Sequence, residues 1–206
     1  MKLVYVYVLG ALLAYLIGTF SPSYILAKAK NTDMKGKGTG NLGASNTTLL
    51  LGWKWGVVVG AMDILKACIP IVISKVVFSE YIYLPYVVAV CIIMGHIFPF
   101  YLKFRGGKGF ATFFGSMLGL SWPSFILIGA LFLIIVWVSD YMVAGTFSVI
   151  GMFPIYVGIT TRNIILVLII LAASLVILLK HKENIKRIKN KEEVGIRAAF
   201  SGKKKD

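Results

Sequence analysis

The chain has 206 residues, of which 58% are hydrophobic and 15% are charged, and its net charge is +14. Such a low charged fraction excludes an ordinary soluble domain, and the apolar runs are continuous, which excludes the alternating strands of a membrane β-barrel. The composition therefore predicts an all-α integral membrane protein, a polytopic helix bundle forming one domain over residues 1–192, followed by a basic tail at 193–206.

Seven apolar segments follow one another along the chain, and a run of about 20 residues is enough to cross a bilayer as a helix. They lie at about 3–27, 53–78, 82–102, 108–120, 122–139, 141–160 and 162–180. The segment at 108–120 is short, because a helix of that length reaches only about 20 Å, so it either crosses a thinned region or re-enters. The pattern predicts about seven transmembrane helices, with the termini on opposite sides.

Basic residues are concentrated in one set of loops. Of the 22 lysines and arginines, 17 lie at 28–37, at 103–108 and in the tail from Lys180 onwards. Cytoplasmic loops are enriched in these residues, so we expect an N-terminus outside and a cytoplasmic C-terminus. Attraction to anionic lipid explains such a charge, and so does an anionic substrate. The total charge does not distinguish the two.

The first of these loops contains the glycine-rich stretch GTGNLGASN, from Gly38 to Asn46. Glycines let backbone N–H groups approach a phosphate closely, and Thr39, Asn41 and Asn46 add neutral hydrogen-bonding groups around Gly40. The stretch lacks the lysine of a Walker A loop. It is either an anion site or a tight packing of small residues.

The second apolar segment contains an acid and a base, Asp63 and Lys66. At a spacing of three they share a helix face and can pair. Ionisable groups within a membrane span are costly, and they usually serve a function. The pair is either part of a site or a structural ion pair between helices.

The loop after the third apolar segment joins a histidine, a glycine pair and three cations. His96 precedes the loop, and the cations are Lys103, Arg105 and Lys108. Free N–H groups at a helix N-terminus, together with a lysine, form an anion site. We expect such a site at Gly106, Gly107 and Lys108, and the alternative is a loop that only obeys the positive-inside rule.

The last apolar segment continues into the stretch HKENIKRIKN, which begins at His181. His181 and Asn184 are three residues apart, so a continuing helix would place them on one face. A basic juxtamembrane tail is the common explanation for such a stretch, and taken alone it is sufficient.

Together and in this order, these motifs resemble those of the PlsY family, the bacterial membrane glycerol-3-phosphate acyltransferases that use acyl-phosphate. The matching stretches are GTGNLGASN from Gly38, DILK from Asp63, GHIFPFYLKFRGGKGFAT from Gly95 and HKENIKR from His181. The third is the most specific of them, and the similarity extends from about Tyr15 to Glu192.

The resemblance implies a seven-helix acyltransferase that moves a fatty acyl group from acyl-phosphate to the 1-hydroxyl of glycerol 3-phosphate. The products would be lysophosphatidic acid and phosphate, at the start of phospholipid synthesis in the bacterial plasma membrane. It implies substrate-assisted chemistry without a catalytic side chain, metal or cofactor. The expected partners are the two substrates, membrane lipid and the soluble enzyme that makes acyl-phosphate, and no nucleic acid is expected.

The resemblance also implies roles for single residues. Thr39 occupies the position of a substrate-contacting serine, and Lys108 that of the lysine in the second cytoplasmic motif. His181 and Asn184 match the polar pair that lines the glycerol-phosphate site. Further matches, with less defined roles, are Asp63, Lys66 and His96.

Two arginines of the family pattern are replaced in this chain, by Leu49 and by Asp140. The arginine at the first position is a phosphate ligand in the family, so its loss predicts weaker binding of the acceptor. Two other functions fit the same basic loops, a transporter of an anionic metabolite and a non-catalytic binder of lipid phosphate. A transporter typically has matching interrupted helices in two halves, and the sequence shows no such symmetry.

Overall fold

The computed structural model describes residues 2–201, and every regular element in that range is helical. The helices are α1 (Lys2–Thr19), α2 (Pro22–Ala29), α3 (Ala44–Leu51), α4 (Trp53–Val77), α5 (Leu84–Ile97), α6 (Phe110–Leu120), α7 (Trp122–Ser139), α8 (Met142–Thr161), α9 (Ile164–Lys180), α10 (Lys182–Lys189) and α11 (Ile196–Ser201). The predicted all-α class is confirmed. Residues 202–206 of the predicted tail lie outside the described residues.

In the described part of the chain, five helical units are long and apolar enough to cross a membrane: Leu3–Ala29, Trp53–Val77, Leu84–Leu102, Trp122–Ser139 and Met142–Thr161. A sixth arises if α9 and α10, which meet at a bend of 47°, form one span. The remaining apolar helix, α6, is shorter than a full span. The protein is therefore a multi-pass membrane protein, while the count of seven and the orientation of the termini stay predictions.

Two local features were not anticipated from the apolar pattern. The first span breaks at Ser21, whose hydroxyl accepts a hydrogen bond from the N–H of Tyr24 at 3.4 Å and caps α2, while Pro22 occupies the first helical position. Proline suits that position because the N–H there has no helical partner. The glycine-rich stretch is also not wholly irregular, because its last three residues begin α3, a helix of 8 residues.

Close helix packing depends on small residues. An added Cβ at Gly18 would collide with the backbone of Ile92, and one at Gly95 with the backbone of Tyr15, so α1 and α5 approach each other at both glycines. Helices in a membrane usually associate through small residues that let their backbones approach closely. Apolar side chains gain little free energy by moving from lipid into a helix interface, because both surroundings are apolar. Large apolar side chains on the outer faces, such as Trp137 at 74% exposure, are positioned to contact lipid.

The three basic segments of the chain meet at one end of this bundle. The backbone of Leu42, in the first loop, lies against Gly107 in the loop before α6. Lys108 in that second loop bonds Asn184 of α10, and α11 packs on α3. Residues that are far apart in sequence therefore converge where the charge is concentrated.

Candidate functional site

Lys108 is the cation at the centre of this convergence. It lies in the turn between the glycine pair and α6, whose N-cap residue Gly109 has a φ of +90°. Its ammonium donates a hydrogen bond to Oδ1 of Asn184. Burial lowers the pKa of Lys108 to about 8, the neighbouring charge of Arg187 lowers it as well, and Glu193 opposes them. A half-buried lysine with a neutral partner retains donor capacity for an anion.

The two polar residues of the last motif lie beside it because the chain bends between α9 and α10. His181 and Asn184 are both buried. Nδ1 of His181 lies 2.8 Å from the carbonyl oxygen of Ile177. A carbonyl can only accept, so Nδ1 carries the proton and Nε2 of the neutral ring is left as an acceptor. His181 can therefore accept a hydrogen bond from a substrate hydroxyl.

Two further residues belong to this cluster, and neither was among the predicted site residues. Glu193 accepts a hydrogen bond from Nδ2 of Asn184 at 2.6 Å and one from Nε of Arg187 at 2.7 Å. Nη2 of Arg187 is buried and has no hydrogen-bond partner within residues 2–201. An unsatisfied buried guanidinium nitrogen is unfavourable, so it suits an incoming anion. The signal for Arg187 was present, since it ends the motif HKENIKR, whereas Glu193 lies beyond that motif.

The glycine pair serves the site differently from the prediction. The N–H of Gly106 donates to the carbonyl of Ile97 at 3.0 Å, and the N–H of Gly107 donates to that of His96 at 3.1 Å. These N–H groups complete the C-terminus of α5 and are not free, so the expected free donors at the pair are wrong. An added Cβ at Gly106 would meet the carbonyl of His96, and one at Gly107 would meet its ring. The pair is needed for close approach.

The glycine-rich loop is folded around Asn46, which is completely buried. Its Oδ1 accepts from the N–H of Thr39 at 2.7 Å, and its Nδ2 donates to the carbonyls of Met34 at 2.8 Å and Lys37 at 3.3 Å. All these partners belong to the loop, so the side chain is committed to shaping it and is not presented to a ligand. Thr39 and Asn41 are partly exposed, and Gly40 is exposed with a φ of +68°.

The predicted pair in α4 forms, and it recruits the histidine of α5. Nζ of Lys66 lies 2.7 Å from Oδ1 of Asp63 and 2.9 Å from Nδ1 of His96, and it donates to the carbonyl of Phe20 at 2.6 Å. All three side chains are buried. Because the three side chains lie against one another in the interior and the His96 ring abuts Gly107, their geometry favours the structural alternative, a support beneath the second loop.

A cavity of about 530 Å³ opens between the first loop and the segment after α5. Its floor is a small apolar cluster of Ala27, Met34, Leu42 and Leu102. Its rim carries four exposed cations, Lys28, Lys35, Lys103 and Arg105, and one exposed carboxylate, Asp33. An apolar floor beneath a rim of net positive charge suits the headgroup end of an anionic amphiphile.

The sequence of this chain is similar to those of known acyltransferases. The sequence model of the glycerol-3-phosphate acyltransferase family matches residues 8–191. Glycerol-3-phosphate acyltransferase 1 of Oceanobacillus iheyensis is 37% identical over 96% of this chain and 98% of its own length. Glycerol-3-phosphate acyltransferase of Bacillus subtilis is 33% identical over 88% of this chain and 93% of its own length.

Two crystal structures are similar as well. Both are of PlsY (YgiH), an integral membrane glycerol 3-phosphate acyltransferase. Its glycerol 3-phosphate form superposes with a TM-score of 0.86 at 27% identity and covers 92% of this chain and 94% of that one. Its lysophosphatidic acid form gives a TM-score of 0.84 at 26% identity, over 95% of this chain and 98% of that one.

Proposed function

The chain belongs to the glycerol-3-phosphate acyltransferase family, and from that premise we propose that it acylates the 1-hydroxyl of glycerol 3-phosphate with a fatty acyl-phosphate. It is a multi-pass membrane acyltransferase, and its family acts in phospholipid synthesis. The observation that carries the proposal for the site is the cluster at Lys108, where two cations, two neutral polar side chains and the carboxylate of Glu193 meet from separate segments.

We place the phosphate of the acceptor between Lys108 and Arg187. Lys108 is protonated below its pKa of about 8, and Nη2 of Arg187 is a buried donor that no acceptor among residues 2–201 satisfies. Charge-assisted hydrogen bonds of this kind are the strong ones in proteins. In this arrangement Nε2 of His181 faces the glycerol and accepts a hydrogen bond from its hydroxyl, which orients that oxygen for attack.

The reaction needs little more than position and charge. The 1-hydroxyl oxygen bonds to the carbonyl carbon of the acyl-phosphate, and the bond from that carbon to the phosphate oxygen breaks. The hydroxyl proton passes to the departing phosphate, which leaves as inorganic phosphate. The donor is already a mixed anhydride, so the protein contributes by orientation and by stabilising negative charge on the phosphate.

The donor arrives as an anionic amphiphile, and the basic cavity beside the first loop supports that part of the proposal. Four cations on its rim match a phosphate headgroup, while its apolar floor and the lipid-facing helices match an acyl chain. We place this face on the cytoplasmic side of a bacterial plasma membrane. There, a soluble enzyme that makes acyl-phosphate can deliver the donor.

An assay of purified protein in lipid nanodiscs tests the proposal. Acyl-phosphate and glycerol 3-phosphate should together give lysophosphatidic acid and one phosphate per turnover. The control donor is acyl-CoA, which should give no product. If lysophosphatidic acid forms with acyl-CoA and not with acyl-phosphate, the donor assignment is wrong. Uptake of glycerol 3-phosphate into proteoliposomes, without acylation in the nanodiscs, would favour the transporter.

A further inference from the structure

The segment after α10 reverses and lies across the end of the bundle. Its turn is made by Lys191, with a φ of +62°, and by the N–H of Glu192, which donates to the carbonyl of Arg187 at 2.8 Å. From there the chain passes Glu193 and enters α11, which contacts α3. Besides this contact with α3, hydrogen bonds attach the segment 190–201 to the cluster around Lys108 and to a second point on the bundle.

That second point is Asp140, the residue between α7 and α8. Its carbonyl accepts from the N–H of Ile196 at 2.8 Å, and its Oδ1 accepts from the N–H of Arg197 at 3.0 Å. Asp140 thus satisfies two donors at the start of α11, as a helix cap supplied by another part of the chain would. Its left-handed φ of 64° is one that aspartate tolerates.

Arg197 adds a weaker attachment at the same point. Its Nη2 donates to the carbonyl of Trp137 at 2.8 Å, and its guanidinium lies 5.5 Å from the centre of the Trp137 ring. Its Nε is 3.9 Å from Oδ1 of Asp140, and the Arg197 side chain is 63% exposed. Exposed ion pairs at such a distance contribute little. The attachment therefore depends chiefly on oxygen atoms of Asp140 that accept from backbone N–H groups.

The first attachment reaches the functional cluster directly. Glu193 binds Nδ2 of Asn184, and this leaves Oδ1 of the same amide facing Lys108. Without Glu193 the amide could rotate and turn its NH₂ group towards the ammonium of Lys108. An ammonium group cannot accept a hydrogen bond, so the contact between the two side chains would be lost. Ile196 is three positions after Glu193, so fixing the start of α11 keeps the Cα atom of Glu193 within about 10 Å of it.

We propose that Asp140 is a positioning residue for the acyltransferase reaction: it docks the C-terminal segment so that Glu193 keeps Asn184 oriented towards Lys108. The inference rests on the proposed role of Lys108 in binding phosphate. It assigns a role to a position where this chain departs from the arginine of the family pattern. An arginine there would offer no side-chain acceptor to α11 and would face Arg197 with a like charge.

Four variants separate this role from general damage. Asp140→Ala removes the side-chain acceptor, and Asp140→Asn keeps an oxygen there as the conservative variant. Gly195→Ala attacks the docking from the other side, because an added Cβ would meet the carboxylate of Asp140. Val194→Ala, at a neighbouring exposed position, is the matched control.

We expect Asp140→Ala and Gly195→Ala to raise KM for glycerol 3-phosphate about three- to ten-fold, the effect of losing roughly one hydrogen bond, with kcat little changed. Asp140→Asn and Val194→Ala should remain near the wild type. The alkaline fall of kcat/KM should also move to lower pH in the two damaged variants. The reason is that the charges of Glu193 and Glu183 raise the pKa of Lys108, whereas burial, Arg187 and Lys180 lower it. If Glu193 moves away, the pKa of Lys108 falls. A loss of stability alone would not move that limb.

Limited trypsin digestion of folded protein provides a readout that needs no activity. Cleavage within 190–201 should be faster in Asp140→Ala and Gly195→Ala than in the wild type. Unchanged digestion in both variants would show that Asp140 does not hold the segment. Faster digestion with an unchanged KM and pH profile would show that docking does not reach the site. Either result overturns the proposal, whereas an inactive wild type with the expected digestion pattern would refute the assigned reaction.

Discussion

Lys108 brings a positive charge into a half-buried position, and its surroundings weaken that charge. Because burial and Arg187 lower its pKa to about 8, the protonated form that binds phosphate prevails below pH 8 and is lost as the pH rises through that value. The pKa of the free enzyme governs kcat/KM. We therefore predict that kcat/KM for glycerol 3-phosphate falls above about pH 8, measured across a pH series in one buffer system.

Removing the charge altogether should have a larger effect. Lys108→Ala deletes a charge-assisted contact worth about 1.5–3 kcal/mol, which corresponds to a loss of roughly ten- to a hundred-fold in kcat/KM. Lys189→Ala, which removes an exposed lysine outside both the Lys108 cluster and the basic cavity, is the matched control for charge. Near-wild-type turnover in Lys108→Ala would remove this loop from the site.

Leu49 occupies a position where the family pattern has a phosphate-binding arginine, and substitutions there test how strongly this chain binds the acceptor without it. It lies on α3 and is half-buried. If Arg187 and Lys108 hold the acceptor alone, binding should be weak, and Leu49→Arg should lower KM by roughly ten-fold with kcat little changed. Leu49→Gln has a similar length without the charge and should leave KM unchanged. Loss of activity in Leu49→Arg, with tight binding in the wild type, would mean that the chain has rebuilt its phosphate site.

At the level of elements, the glycine pair joins α5 to α6. Its N–H groups complete the end of α5, and Gly107 has no space for a side chain beside the ring of His96 and the carbonyl of Leu42. The buried group of Asp63, Lys66 and His96 fixes that ring from below. The loop is therefore held in place by packing and hydrogen bonds, before any substrate binds.

Gly107→Ala should push the loop off this support and displace Lys108. We expect a rise in KM for glycerol 3-phosphate of at least roughly ten-fold, as for a lost charge-assisted contact, together with a lower melting temperature. Gly151→Ala in α8 is the control, because an added Cβ there meets nothing within 4 Å. A Gly107→Ala protein with wild-type KM would show that the close approach has no bearing on the site.

For the whole molecule, the grouping of charge predicts the orientation in the membrane. The 28–37 and 103–108 loops and the C-terminal segment meet at one end, while Glu80 and Arg162 are on the connections at the other, where Asn163 bonds Tyr83. Labelling of single cysteines tests this orientation in a background with Cys68→Ala and Cys91→Ala. Lys37→Cys and Lys189→Cys should react with an impermeant thiol reagent only in opened cells, whereas Glu80→Cys should react in intact cells. The reverse pattern would show that the protein has the opposite orientation.

The positions of most membrane-spanning helices can be predicted from the local sequence. A helix in lipid must satisfy its backbone hydrogen bonds within itself, so long apolar runs predict helices wherever they occur. The boundaries of α4, α7, α8 and α9 match the apolar segments closely. The amino-acid sequence also determined the side on which charge accumulates and, through four ordered motifs, the family to which the chain belongs.

The tertiary structure decided which of the motif residues face the site. Asn46 and the N–H groups of the glycine pair had the right chemistry for phosphate, but their hydrogen bonds are made within the protein. Arg187 and Glu193 join the site because the bend after α9 and the turn at Lys191 bring them to Lys108. A hydrogen-bonding group serves a ligand only if no nearer partner satisfies it. The side chains that do form the site come from distant parts of the chain, since Lys108 and Asn184 are 76 residues apart. Sequence spacing does not encode such contacts.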